Sequence, residues 1–237
     1  IHLEAEKLKI PVRFPDNLNN ETEYKFIKES NVNLVIVVAY GQIIPKKFLD
    51  IKNLTFLNIH ASLLPKWRGA APIQRSIMSL EKETGVSIMK IAEKLDSGPI
   101  CNSYKIEIKK KDNAENISEK LSLLAAQKIL ENLDDILEDK IEFKEQNHSN
   151  ATYASKIDKS ESQIKWADPA EIIIGKINGL YPNPGAFFIY KGERYKILRA
   201  ELASGIGKIG EVLNDYLEIS CGNQKSIKIT EIQRQGK

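Results

Sequence analysis

The sequence predicts an α/β domain with a mostly parallel sheet, followed by a small β-barrel domain. A continuous β-branched run at 34–39 is typical of strands that are buried on both faces in parallel sheets. This run alternates with helical stretches before a second apolar strand at 54–59, as expected for a sheet covered by helices. From Ala186 onward, short alternating stretches separated by glycine-containing turns indicate the barrel.

The first half of the chain is predicted to alternate helices and strands, separated by turn residues such as Pro15 and Asn20. The predicted helices are 2–9, 21–30, 45–50, 70–80 and 114–140, and the predicted strands are 10–14, 34–39, 54–59, 84–91 and 100–108. The long helix carries its apolar residues at amphipathic spacing, and Asp112 or Asn113 can cap its start. This pattern places a first domain at 1–145.

The second half is predicted to hold a linker and the barrel. Residues 146–162 are polar with little periodicity, and we interpret them as the linker before a domain at 163–237. A capping box with Pro169 at the first helical position begins a helix that Gly179 ends. The predicted strands that follow are 187–190, 195–200, 210–213, 217–221 and 226–232.

The composition is that of an ordinary soluble protein. The 237 residues carry a net charge of +3, which permits contact with nucleic acid but does not argue for it. Cys101 and Cys221 stand far apart in no metal or redox pattern, so we expect a cytoplasmic protein without a metal. No apolar run reaches the roughly 18 residues of a membrane span, and we expect no membrane partner and a monomer.

Asn58 and His60 form the first candidate site. Side chains two apart on a strand share a face, so both point the same way near the carboxyl end of the strand, where open α/β sheets bind ligands. An amide donor beside an imidazole can polarise a carbonyl and hold an oxyanion, and the imidazole can carry a proton near neutral pH. The alternative is a strand-end pair that meets only local backbone.

The thirteen residues from Leu57 to Gly69 favour the site. Asn-x-His followed by Ser-Leu-Leu-Pro-x-x-Arg-Gly resembles the signature of the folate-dependent formyltransferases, and the continuation at 70–77 is similar to their branch that acts on methionyl-tRNA. The resemblance extends from about residue 2 to the end of the chain and weakens in the last third. It implies a Rossmann-like formyltransferase domain and an OB-like barrel that holds tRNA.

The resemblance also implies roles for particular residues. Asn58, His60 and Asp96 match the catalytic trio, although by composition alone Asp96 is a turn residue in a Leu-Asp-Ser-Gly loop. Three segments match folate-contacting positions, and we expect the two leucines of the segment at 62–65 to lie in an exposed loop. These positions are Ser62, Leu63, Leu64 and Pro65, then Gln42, Ile43 and Ile44, and the segment Ala92–Leu95. Trp67 and Arg68 stay unassigned.

The implied activity is transfer of the formyl group of 10-formyltetrahydrofolate to the free amino group of initiator methionyl-tRNA, for translation initiation. The alternatives are a formyltransferase or hydrolase of the same superfamily that acts on a small amine or on formyl-folate, and a noncatalytic tRNA-binding relic. Lys191 and Arg194, on one predicted hairpin of the barrel, are the candidate tRNA contacts. We expect His2 and His148 to be surface residues outside any site.

The chain begins with Ile1, inside a predicted helix. In the resembled family a first strand, a glycine-containing turn and a basic loop precede this point. We therefore expect a fragment that lacks this N-terminal segment and the extreme C-terminus.

Overall fold

The computed structural model describes residues 2–236, which form two units. The helices of the first unit are α1 (His2–Lys7), α2 (Glu21–Glu29), α3 (Lys46–Leu49), α4 (Pro72–Met78) and α5 (Ala114–Leu137). Its strands are β1 (Leu34–Val37), β2 (Thr55–His60), β3 (Arg68–Gly69), β4 (Glu83–Lys90) and β5 (Ile100–Glu107). The strand predicted at 10–14 is wrong: no pairing involves this described segment, and Arg13 instead donates to the Glu23 carboxylate of α2.

The main sheet has the order β1-β2-β4-β5 within the described range. β1 and β2 pair in parallel, whereas β2 with β4 and β4 with β5 pair antiparallel. The α/β class is confirmed, and β4 doubles back beside β2 after α4, which gives the described part of the sheet its two antiparallel pairings. The prediction that β1 is buried on both faces is wrong in the described chain, because Ile36 on this strand is 41% exposed.

Two apolar cores cover the faces of this sheet. One joins β2 and β4 to α5, where Leu57 and Ile88 pack with Ile117 and Leu121; the other surrounds Phe48 of α3. Burying each such side chain contributes about 1.5–3 kcal/mol to stability. α5 begins with Asn113 as its cap, one of the two predicted residues, and Asn116 completes a reciprocal capping box with it. Within residues 2–236 no helix is long and apolar enough to cross a membrane.

The second unit is an antiparallel sheet with one helix. It contains α6 (Ala170–Leu180), β7 (Phe187–Tyr190), β8 (Glu193–Ala203), β9 (Glu218–Ser220) and β10 (Ser226–Arg234). The strands pair in the order β7-β8-β10-β9 and form a curled half-barrel around the α6 side chains Ile173 and Ile177. The strand predicted at 210–213 contributes one bridge, between Val212 and Ile219.

α6 packs directly on α4, and two glycines permit this approach. A Cβ on Gly179 would lie 2.6 Å from the Met78 Cγ, and one on Gly175 would lie 2.8 Å from a Leu80 methyl carbon. The prediction that Gly179 ends the helix is therefore wrong: Gly179 lies inside α6 and permits its packing on α4. The predicted capping box is also wrong, because Asn223, and not Asp168, accepts the Ala170 backbone N–H at the helix start.

Candidate active site

The predicted trio converges at the end of β2. The Asn58 side-chain amide donates to Asp96 Oδ1 at 3.2 Å, and His60 Nδ1 lies 3.7 Å from Asp96 Oδ2. Asp96 stands in the loop after β4, the strand that pairs with β2. His60 is only 6% exposed, so its contacts are made in a largely dry environment. The prediction that these side chains lie together is confirmed, and their catalytic role stays a prediction.

Oxygen acceptors surround the imidazole of His60. Its Nε2 lies 2.9 Å from the Trp67 carbonyl oxygen, while its Nδ1 faces the Asp96 carboxylate. The protonated ring carries a donor for each of these oxygens. Asp96 Oδ2 also accepts the Gly69 backbone N–H at 2.8 Å, so the carboxylate is fixed from two sides.

The loops that carry these groups adopt backbone conformations that need support. Asp96 has a φ of +46° and Trp67 a φ of +61°, the left-handed region that side chains other than glycine rarely occupy. Gly69 has a φ of +116°, and a Cβ there would lie 2.8 Å from the Ala154 carbonyl oxygen. This close approach follows from the pairing of β3 with β6 (Tyr153–Ala154), which lies in the predicted linker.

Arg68, which the sequence left unassigned, lies buried behind the trio. It is 3% exposed, and its Nε and Nη2 both donate to Gln146 Oε1, at 3.1 and 2.6 Å. Its Nη2 also lies 2.9 Å from His148 Nδ1. His148 is exposed, but the prediction that it belongs to no cluster is wrong. Sequence reasoning missed Gln146, since nothing local links it to a residue 78 positions earlier.

The predicted folate segment at 62–65 is less exposed than expected. Ser62 and Leu64 are buried, and the Ser62 hydroxyl donates to the Lys66 carbonyl oxygen. Leu63 is half-buried, and its side chain fills the space beside Gly85 of β4. The expectation of exposed leucines is therefore wrong for Leu64. Pro65 is half-buried, and its carbonyl oxygen accepts the Thr152 N–H.

The predicted folate segment at 42–44 lies near the Asp96 loop. Ile44 belongs to the core around Phe48, whereas Ile43 is 85% exposed and Gln42 donates to the Asp16 carbonyl oxygen. Just after this segment, Lys46 forms an ion pair with Glu93, which precedes Asp96 by three positions. Leu95 in the same loop is also exposed. Two large apolar side chains thus remain open to solvent on the segments beside the site.

The predicted linker is bound to α4. The Arg75 guanidinium donates to both carboxylate oxygens of Glu161, at 2.6 and 2.9 Å, and also to Ser155. These hydrogen bonds from Arg75 lower the pKa of Glu161 to about 2. The segment after the first domain therefore follows a fixed path across α4.

The Arg75–Glu161 pair is expected to stabilise the fold less in acid. A carboxyl group whose pKa is depressed in the folded state stabilises fully above its unfolded pKa, and loses this effect as the pH falls toward about 2. We expect Glu161→Gln to lower the melting temperature at pH 7. The difference in melting temperature between the variant and the unchanged protein should shrink as the pH falls from 4.5 to about 2. Thermal unfolding across this range checks it; a difference that is constant with pH would contradict it.

Lys191 and Arg194 lie in the second unit, at the hairpin between β7 and β8. The Lys191 ammonium stands over the Tyr190 ring at 5.4 Å, and the Arg194 guanidinium over the Phe187 ring at 3.8 Å. Arg194 also lines a shallow cleft of about 330 Å³ with Lys196. Both residues therefore belong to a different sheet from β2 and β4, the strands that position the trio.

Comparisons with known proteins agree with this architecture. The family model "Formyl transferase" matches residues 6–133, and "Formyl transferase, C-terminal domain" matches residues 156–237. A methionyl-tRNA formyltransferase of Pelagibacter ubique is 67% identical over 238 residues, covering 100% of this chain and 77% of that protein. One of Bradyrhizobium diazoefficiens is 40% identical over 237 residues, covering 98% of this chain and 76% of that protein.

Solved structures support the fold. The crystal structure of WlaRD, a sugar 3N-formyl transferase in the presence of dTDP and 5-N-formyl-THF, matches with a TM-score of 0.73 at 20% identity. The match covers 100% of this chain and 82% of that one. HypX from Aquifex aeolicus in complex with tetrahydrofolic acid matches with a TM-score of 0.67 at 20% identity, over 91% of this chain and 38% of that one. By its sequence relatives and its family models, the chain belongs to the methionyl-tRNA formyltransferase family.

Proposed function

We propose that this protein transfers the formyl group of 10-formyltetrahydrofolate to the free amino group of initiator methionyl-tRNA in the cytoplasm, for translation initiation. The observation that carries the proposal is the convergence of Asn58, His60 and Asp96 at the end of β2. Acyl transfer to an amine needs donors for a developing oxyanion and a path for the proton that the amine loses. The trio supplies both kinds of group.

Asn58 and His60 are the oxyanion donors. One hydrogen of the Asn58 amide goes to Asp96, and the other has no partner among the described residues, so it can donate to the reacting oxygen. The Nε2 of His60 lies 2.9 Å from the Trp67 carbonyl oxygen in this structure, and in the proposal it donates to the reacting oxygen instead. Each such donor accelerates acyl transfer by about 10²–10³-fold.

Asp96 has three tasks in this proposal. Its negative charge faces His60 Nδ1 and stabilises the imidazolium, and its Oδ1 orients the Asn58 amide. It also takes part in moving the proton that the attacking amine loses to N10 of the departing tetrahydrofolate, as the bond from the formyl carbon to N10 breaks. No covalent link between substrate and protein is required.

The surroundings fit a largely aromatic folate. When bound, 10-formyltetrahydrofolate supplies the activated formyl group. Ile43 and Leu95 offer exposed apolar surface beside the Asp96 loop, and the buried Trp67 indole N–H has no partner in the described part of the chain. We assign 42–44 and 62–65 to folate contact; burial limits Ser62 and Leu64 to contacts through backbone or packing. No metal is part of this proposal.

A competition assay tests the proposed function. The purified protein is incubated with labelled 10-formyltetrahydrofolate, charged initiator tRNA and a panel of small amines that includes amino sugars. We expect label on the methionyl-tRNA. Label on a small amine, or release of labelled formate, would replace the proposal with the corresponding transferase or hydrolase. Binding of tRNA without any transfer would indicate the noncatalytic relic.

The second unit is proposed to hold the tRNA. We keep the division into residues 1–145, a linker at 146–162 and a tRNA-binding domain at 163–237, and we propose that the curled sheet belongs to an OB-like barrel. Lys191 and Arg194 support this, because both charges lie on one hairpin with aromatic rings beneath them. Such charges contact the phosphate backbone in a salt-dependent way, since each neutralised phosphate releases counterions.

Replacing Lys191 and Arg194 together with alanine is expected to weaken tRNA binding selectively. We expect the KM for tRNA to rise and its salt dependence to become flatter, while the KM for folate and the kcat at saturating tRNA barely change. Lys208→Ala, an exposed lysine of the same unit, is the matched control. An unchanged tRNA affinity with an unchanged salt slope would exclude this hairpin as the contact surface.

A further inference from the structure

We propose that Gln146 is a positioning residue of the site: its side-chain amide ties the Asp96 loop to the buried Arg68, and so fixes the carboxylate that serves Asn58 and His60. The proposal rests on the proposed formyl transfer. Gln146 stands in the segment predicted to be a linker, outside the motif and outside the trio, and it is buried.

One end of the Gln146 amide binds Arg68. The amide oxygen accepts from both Nε and Nη2 of the guanidinium, a fork that fixes the position of each group. Among the described residues no carboxylate pairs with Arg68, so this oxygen and the exposed His148 ring are the side-chain acceptors that satisfy a buried cation. Losing the Gln146 oxygen would leave two donors of the buried Arg68 guanidinium without an acceptor, which is destabilising, so these two hydrogen bonds are expected to persist.

The other end binds the Asp96 loop. Nε2 of Gln146 donates to the carbonyl oxygens of Asp96 and Gly98, at 2.9 and 2.7 Å. Asp96 adopts a left-handed conformation, so its loop needs outside bonds to stay in place. One of these bonds falls on Asp96 itself, and the other falls two residues later in the same loop.

The two ends close a ring through the site. Arg68 and Gly69 form β3, and the Gly69 N–H donates to the Asp96 carboxylate. Asp96 is thus held at two points: β3 binds its carboxylate, and Gln146 binds its backbone carbonyl. Gln146 also binds Arg68 of β3, which closes the ring. A shift of about 1 Å in a catalytic group can cost 10²-fold in rate.

Gln146→Glu separates these two ends. The carboxylate still accepts from Arg68, but it has no donor for the carbonyl oxygens of Asp96 and Gly98, and repels them instead. We expect kcat to fall by about 10–100-fold, with the KM for folate and for tRNA changed by about twofold or less. Gln163→Glu, an exposed glutamine with no role in the site, is the matched control and should leave all constants unchanged.

A second variant and the NMR signals of the His60 ring complete the test. If Gln146→Glu does not fold, Gln146→Met, which removes both sets of bonds without adding charge, takes its place with the same expected loss of kcat. The NMR signals of the His60 ring should shift in the variant, because the facing carboxylate moves. A folded variant with kcat within about threefold of the unchanged protein and unshifted His60 signals would overturn the proposal. If the unchanged protein does not formylate methionyl-tRNA, the proposed function fails, while the His60 signals still decide whether Gln146 holds Asp96.

Discussion

His60→Ala is expected to lower the kcat of formyl transfer by about 10²–10³-fold. The ring supplies a donor at Nε2 and faces the Asp96 carboxylate through Nδ1, and alanine removes both interactions. Because the oxyanion exists only in the transition state, the KM for folate should change little. Steady-state kinetics with folate and tRNA varied separately measures this split.

His2→Ala is the matched control for this change, since His2 is exposed and contacts only the Phe14 ring among the described side chains. It should leave kcat and both KM values unchanged. If His60→Ala weakened folate binding as much as it lowered turnover, His60 would bind ground state and transition state alike, and the assigned role would be wrong.

Asp96→Asn is expected to lower kcat by about 10²–10⁴-fold. The amide removes the negative charge that faces His60. It also places an NH₂ group against a donor, because one carboxylate oxygen accepts from the Asn58 amide and the other from the Gly69 N–H. One of these two bonds must therefore break in the variant. Turnover at saturating substrates, with melting temperature as a measure of folding, checks the prediction.

Asp215→Asn provides the control for Asp96→Asn, because Asp215 is exposed in the second unit. A folded Asp96→Asn protein with normal turnover would mean that the carboxylate is only a turn residue bonding nearby backbone. That is the interpretation that the composition of the Leu-Asp-Ser-Gly loop favours on its own.

Features set by local sequence were predictable. The two-residue period of a strand places Asn58 and His60 on one face, and the amphipathic spacing together with Asn113 defines α5 from its cap onward. The convergence of Asp96 on this pair could not be predicted from spacing. It came from the family resemblance, since 36 positions separate Asp96 from His60 and the direction of β4 decides where the loop lies.

Features set by distant contacts were not predictable. A glycine at 179 indicates a helix end, yet Gly179 lies inside α6, where the Met78 side chain is too close to leave room for a Cβ. The polar stretch around Gln146 shows no hydrophobic periodicity. Gln146 is held by hydrogen bonds to Arg68 and to backbone carbonyl oxygens, and such contacts leave no periodic pattern in the sequence. The apolar run at 34–39 predicts burial on both faces, whereas Ile36 and Val38 are exposed in the described chain.

The central claim is that His60 and Asp96 act as one unit at the end of β2. The most direct test measures single-turnover formyl transfer to methionyl-tRNA by His60→Ala, by Asp96→Asn and by the double variant. Because Asp96 supports the His60 imidazolium, we predict that the loss in the double variant is far smaller than the product of the two single losses. Losses that multiply in full would show that the two residues act independently, and would contradict the account.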